Sequence, residues 1–547
     1  VSCGGGGGGG SSGDASTPVN MEINLKTDLS KVSVGQLSSD RMAVPQRPEL
    51  KDSVSVINNL SRFIEGQNSV VSSGQVSSLS VGLPNRKIES PSQITVKKDG
   101  VAFLINSGLS GFVNTKPLET QVKDYVETKF KFLPDISQPN PDHLQNLTLI
   151  MEKGSVLFAS INGDVKLSQV GKNNLFSQTT NKPTIIGNDY KELLLSNGNF
   201  TIDKNVNLDD ANDAYNNISM ERELVTINAG KTVTGNGKGL SMGSNAGAAN
   251  NLESGYINKG TVDITGGTSS SGVAGINVSY GQILNDTTGL VKVDNGAGLY
   301  GTNGSKIENK GTVTVTGSGT GIAGLGKGNA TPAITYGNGK VEIVNEGTIN
   351  IAGANSTAIY AENNNGVAQS DVTITNNKSL ALGDNSVGIV LKSSSGVGGL
   401  INVSGTGNSD IKVGTNGFGI YAEDSNVTLN TDYGIETGDN GVGIYTKGSS
   451  TVGNAKILNY KYSGSTAGSG IATLYSGANA TNNLNINLDN STNTTAGMVG
   501  IFVNGGGNFT NTGNIVGTSN AAEFGIVADN NTDVINNGNI TLGNASI

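Results

Sequence analysis

The chain has 547 residues, 80 of them glycine and only one cysteine, with 35% hydrophobic and 14% charged residues. Its formal charge is −9 and arginine is confined to Arg41, Arg47, Arg62, Arg86 and Arg222, so no basic stripe exists to bind a nucleic-acid backbone. The lone Cys3 excludes an internal disulfide framework and a thiolate metal cage, and no apolar run reaches the roughly 18 residues of a membrane-crossing helix.

Residues 1–20 begin "VSCGGGGGGG" and read as a glycine-rich disordered tether, since seven consecutive glycines offer nothing to bury. Val1-Ser2-Cys3-Gly4 is similar to the end of a bacterial lipoprotein signal, whose cysteine is acylated; the alternative is a free thiol at the head of the tether. Ten of the eleven prolines lie before residue 184, nine of them in residues 21–220, where the signals are mixed. Lys51–Gly66 and Leu118–Phe132 have helical spacing, and Leu147–Leu167 alternates with turns at Gly154 and Asn162-Gly163. This stretch is expected to form an α+β cap or tip.

From 221 to 547 the text repeats, and the repeat decides the fold class. One marker is Asn-x-Gly, then Thr or Asn, then Val or Ile, at Asn258, Asn309, Asn345, Asn511 and Asn536. A second is Gly or Ala before an aliphatic residue, at 275, 298, 321, 358, 388, 419, 443, 470, 500 and 525. Gly275 to Gly298 is 23 residues and Gly321 to Ala358 is 37, so the rungs are fixed while the turns accept insertions. That pattern predicts an all-β parallel β-helix of short strands. Its core is expected to be filled by Val262 and Ile264, Val313 and Val315, Ile349 and Ile351, then Val387, Ile389 and Leu391, and Val499, Ile501 and Val503. Asn and Gly fill the corners, and stacked asparagines such as Asn309 and Asn345 are expected to ladder their amides. The chain stops in mid-phrase at "NGNITLGNASI", which suggests a fragment of a longer rod truncated at its C-terminal end.

Chemistry is sparse. His143 is the only histidine, and the carboxylates at Asp209, Asp210 and Asp213, and at Glu423 and Asp424, lack the spacing of a calcium loop. No triad, metal set or cofactor site is expected, and Gly319–Gly324 matches G-x-G-x-x-G without a βαβ unit around it. What remains is surface. If Ile359, Ile420, Ile444 and Ile501 point inward, then Tyr360, Tyr421, Tyr445 and Phe502 point outward, with Tyr300 in the same register and Val390, Ala472 and Val527 at the equivalent place. Such a column can stack sugar rings or receive a receptor; the alternative is that these aromatics merely suit a pleated surface or lie beneath inserted turns. The inserted turn Gly324–Lys340, with Tyr336, is a second candidate.

The phrases "NKGTVTVTG", "NEGTINIAG", "GIYAE" and "NTGNI" resemble the passenger regions of type V autotransporters, especially the very large fusobacterial adhesins. The resemblance implies a right-handed β-helical passenger carried by a C-terminal outer-membrane barrel that this chain does not include. It implies a monomeric, non-enzymatic adhesin at the bacterial surface, with host-cell glycans of galactose type, host immune receptors and other bacteria as partners. A polysaccharide-degrading β-helix enzyme and a purely structural stalk are the alternatives.

Overall fold

The computed structural model describes residues 92–96, 101–105, 147–161, 164–170, 184–196, 198–221, 223–243, 254–267, 273–279, 281–302, 305–326, 341–363, 372–393, 398–466, 470–477, 479–489, 498–518, 523–528 and 532–543. Its described strands pair in parallel, each with the equivalent strand one coil away, forming a β-solenoid. Three walls enclose the core. Sheet 1 has 14 strands, from Asp164–Lys166 to Thr532–Asn536. Sheet 2 comprises a six-stranded piece from Val206–Asn207 to Thr348–Ile351 and a seven-stranded piece from Leu380–Ala381 to Ile540–Leu542. Sheet 3 has 11 strands, from Leu240–Gly243 to Phe524–Ala528. At about 4.8 Å per coil, the 14 strands of sheet 1 give a rod on the order of 60 Å long.

Alternation builds the inside of sheets 1 and 2. Val262 and Ile264, Val313 and Val315, and Ile349 and Ile351 all face the core, as their period of two predicts. At the corner between these sheets the Asn-x-Gly phrase has a physical reading. The Asn258 amide donates to Asn285 Oδ1 at 2.9 Å, Asn285 to Asn309 at 2.8 Å, Asn309 to Asn345 at 2.8 Å and Asn345 to Asn376 at 2.8 Å. All five side chains are buried, and their polar groups are satisfied by their copies in the neighbouring coils. A second ladder joins Asn482, Asn511 and Asn536. Glycine follows because a Cβ at Gly347 would lie 2.2 Å from the Gly311 carbonyl oxygen.

Sheet 3 breaks the simple alternation. Its pairing skips one position per coil, so Val387 opposes Phe418 and Ile389 opposes Ile420 while Gly388 sits at a bend. Ile389, Leu391, Ile501 and Val503 join the main core, but Val387 and Val499, expected inside, belong to a second apolar cluster on the outer side. The bend also explains the Gly/Ala marker. A Cβ at Gly419 would stand 2.6 Å from Ile435 Cγ2, a side chain of the preceding wall.

Stacked parallel strands also occur before residue 221. Val101–Ile105, Val156–Ile161, Lys191–Ser196 and Ile218–Glu221 form one four-stranded sheet, and Ser92–Val96, Leu147–Met151 and Thr184–Ile186 another. Asn199–Ile202 pairs directly with Leu224–Ile227, so the described part of 21–220 is continuous with the solenoid. The expected helices at 51–66 and 118–132, together with Cys3 and His143, lie outside the described residues.

Candidate interaction face

The outer side of sheet 3 carries three rows of side chains. The middle row runs Asn277, Tyr300, Ala323, Tyr360, Val390, Tyr421, Tyr445, Leu474, Phe502 and Val527, each the register partner of the next. The four described candidates from the sequence thus stand in one row, while Tyr336 lies outside the described residues. Ala472 does not belong to it. Gly443 is followed at its bend by Ala472 instead of Gly470, Ile444 opposes Thr473, and Leu474 takes the place opposite Tyr445. A shift of one residue exchanges the two faces of a strand.

This row is not the open column the sequence suggested. Tyr360 and Tyr421 are each only 1% exposed, in a second cluster with Tyr300, Leu325, Val387, Val390, Phe418, Val442, Ile471, Leu474 and Val499. The alternation argument correctly turned these rings away from the main core, but a sheet face pointing away from one core can be buried in another. Tyr445, Phe502, Phe524 and Val527 are only partly buried. Tyr445 packs its ring against Phe418 and Tyr421, with centroids 5.3 and 5.1 Å away.

Each buried phenol raises the question of its hydroxyl. Tyr360 donates to Glu362 Oε2, and Tyr421 to Glu423 Oε2 at 2.9 Å. Burial first, and the adjacent carboxylate second, push both phenol pKa values well above their ordinary range. Among the described residues the Tyr300 hydroxyl has no hydrogen-bond partner, and burial followed by Glu362 raises its pKa too. These glutamates were missed as partners, although Tyr-Ala-Glu is written twice, at 360–362 and 421–423. They belong to the third outward row, Glu362, Lys392, Glu423 and Lys447, where charge alternates from coil to coil.

The acidic turns have structural duties. Asp213 accepts from the Tyr215 and Asn207 amides at 3.0 and 2.8 Å, and Asp424 from Ser449 at 3.0 Å. Among the described residues no group of three or more His, Cys, Asp or Glu is placed to hold a metal ion.

Within the repeats from residue 221 on, the longest connections between described strands run from Gly326 to Val341, Gly243 to Gly255, Asn487 to Met498 and Asn363 to Val372. All four join a strand of sheet 3 to a neighbouring wall. Length variation is therefore concentrated around this one face.

No protein-family profile matches the chain, and no curated protein or solved structure matches it significantly. Fold and site geometry therefore carry the functional argument.

Proposed function

We propose that this chain is the rod of a non-enzymatic bacterial adhesin, displayed at the cell surface like the autotransporter passengers that its repeat phrases resemble. The observation that carries the reading is the grouping of the long connections of the repeats around sheet 3. A stiff stack supplies reach, and sequence can vary in the connections without disturbing a ladder. Tyr445, Phe502 and Phe524 are partly open on the same face, Phe502 on the strand that the Asn487–Met498 connection enters, and they offer rings to a glycan or a receptor surface. Host-cell glycans or receptor proteins are the proposed partners, with other bacteria a further target. A C-terminal barrel would hold the chain in the outer membrane.

The test is binding of the chain to host cells, with galactose-type sugars and free arginine as competitors. Saturable binding that one competitor reduces, and that Tyr445→Ser with Phe502→Ser weakens in a folded protein, supports the adhesin. Absence of binding to any cell would leave a structural stalk, and turnover of an acidic polysaccharide would make the chain an enzyme.

A further inference from the structure

Sheets 1 and 3 run unbroken through the middle of the rod, but sheet 2 does not. Its pairing stops at Thr348–Ile351 and resumes at Leu380–Ala381; these strands follow one another in the stack without pairing. On entering sheet 2, other coils bond the coil before: Leu290 N donates to Gly260 O, Thr312 N to Gly289 O and Thr348 N to Gly311 O, each at 2.9 Å. The next member of the series, from Ser379 N to Gly347 O, is missing.

Two independent observations fall at the same place. At the corner leading into sheet 3, a Cβ on Gly353 would meet Gly317 backbone at 2.6 Å, one on Gly414 would meet Gly383 at 3.0 Å, and one on Gly438 would meet Thr415 at 2.8 Å. A Cβ on Gly383 meets nothing nearer than Ala354 Cα at 3.9 Å. The coils stand further apart there. Ile351 and Leu382, on either side of the gap, are each 8% exposed, whereas Val313, Val315 and Ile411 are at 0%.

The sequence supplies a cause. Gly260, Gly311 and Gly347 lie two residues after their ladder asparagines and Gly289 four after Asn285, all at the corner just before sheet 2, and in the next coil that corner holds Lys378, two residues after Asn376. A Cβ has no room where successive corners touch, as the 2.2 Å approach at Gly347 makes plain. Lys378 therefore prevents that corner from seating on the one before, and the wall beyond it opens.

We infer that this seam is a hinge built into the rod. Sheets 1 and 3 hold the two blocks together there, and bending or local opening begins at sheet 2 between Ile351 and Leu380. Open edges exchange their amide hydrogens quickly, and paired ones slowly.

Hydrogen exchange followed by mass spectrometry on the full chain tests this. The amides that face the seam, those of Ile349, Ile351, Ser379 and Ala381, are expected to exchange at least about tenfold faster than those of 312–315 and 411–413, the loss of roughly one hydrogen bond each, whereas Thr348, Leu380 and Leu382 stay bonded to Gly311, Asp410 and Lys412 in the coils on the far sides. Lys378→Gly is expected to slow exchange at Ser379 and Ala381 toward the neighbouring values. Equal protection of the seam and its neighbours in the wild type would overturn the hinge, and so would a Lys378→Gly protein whose seam exchanges as fast as before.

Discussion

Replacing Asn309 by Leu tests the asparagine ladder most directly, because leucine approximates its volume and the same row continues as Val403 and Leu429 beyond Asn376. The substitution removes the bonds from Asn285 Nδ2 and to Asn345 Oδ1, both 2.8 Å. Two amide bonds contribute about 1 kcal/mol each, and a buried Asn345 oxygen left without its donor costs about 1–3 kcal/mol more. The expected loss is about 3–5 kcal/mol. Asn376→Leu removes one ladder bond, from Asn345, and one to the carbonyl of exposed Lys378, which water can take over. It also leaves the buried Asn345 Nδ2 without that acceptor, at about 1–3 kcal/mol, so its expected loss is about 2–4 kcal/mol, smaller than for Asn309→Leu by the one ladder bond more that Asn309 makes. Urea titration followed by circular dichroism measures both, and hydrogen exchange at 307–315 locates the effect. If Asn309→Leu costs no more than Asn376→Leu, the ladder does not act as a chain of mutually dependent bonds.

Glu223→Gln addresses a carboxyl that burial, opposed by the Gly198 amide bond and reinforced by Asp164, holds well above 4.5. A raised folded-state pKa means the fold retains a proton that the unfolded chain releases, so wild-type stability falls as pH rises from 4.5 through the folded value. The variant is expected to melt higher than wild type at pH 8 and to lose that advantage by pH 4.5; parallel melting curves at both pH values would refute it. Gly419→Val places carbon 2.6 Å from both Gly443 O and Ile435 Cγ2, and about 1–3 kcal/mol of overpacking is expected in the same urea titration. Tyr421→Ser should cost about 3–5 kcal/mol as a buried truncation and Tyr445→Ser clearly less. Equal losses by thermal melting would mean that Tyr445 is as enclosed as its neighbour. Asp439 gives the acid limb: burial raises its pKa, but hydrogen bonds from Tyr462, Thr466 and Ser465 outweigh this and hold it below 3.8. Its contribution is present above 3.8 and is lost as pH falls through the lower folded value, a loss that Asp439→Asn should abolish in acid unfolding.

Sheets 1 and 2 were legible because two simple rules govern them. Val313-Thr314-Val315 alternates in and out, and Asn309-Lys310-Gly311 names its own corner. Sheet 3 was half legible. The small residue before each aliphatic marks the bend, yet the bend moves Val387 and Val499 to the other face, which a strict period of two cannot express. Burial of Tyr360 and Tyr421 depends on what lies over the face, and no pattern within a strand reports that. Before residue 221 only Leu147–Leu167, whose alternation suits hairpins or short coils, hints at stacking, because Leu193-Leu194-Leu195 and Ile218-Ser219-Met220 carry neither marker, although their backbones stack in the same way. Core tyrosines were missed for a related reason: Tyr433, Tyr460 and Tyr462 fill space that aliphatics fill elsewhere, with the Tyr460 hydroxyl 2.6 Å from Thr437 Oγ1.

The repeated corner has a consequence for how such a chain changes length. Each Asn-x-Gly coil offers its successor an amide donor, a glycine seat and a pair of aliphatics in the positions its predecessor offered it. A duplication or deletion spanning one whole phrase joins two surfaces that already fit, whatever the spacing between the cut points. Rod length can thus drift by recombination while every surviving core residue keeps the same kind of neighbours.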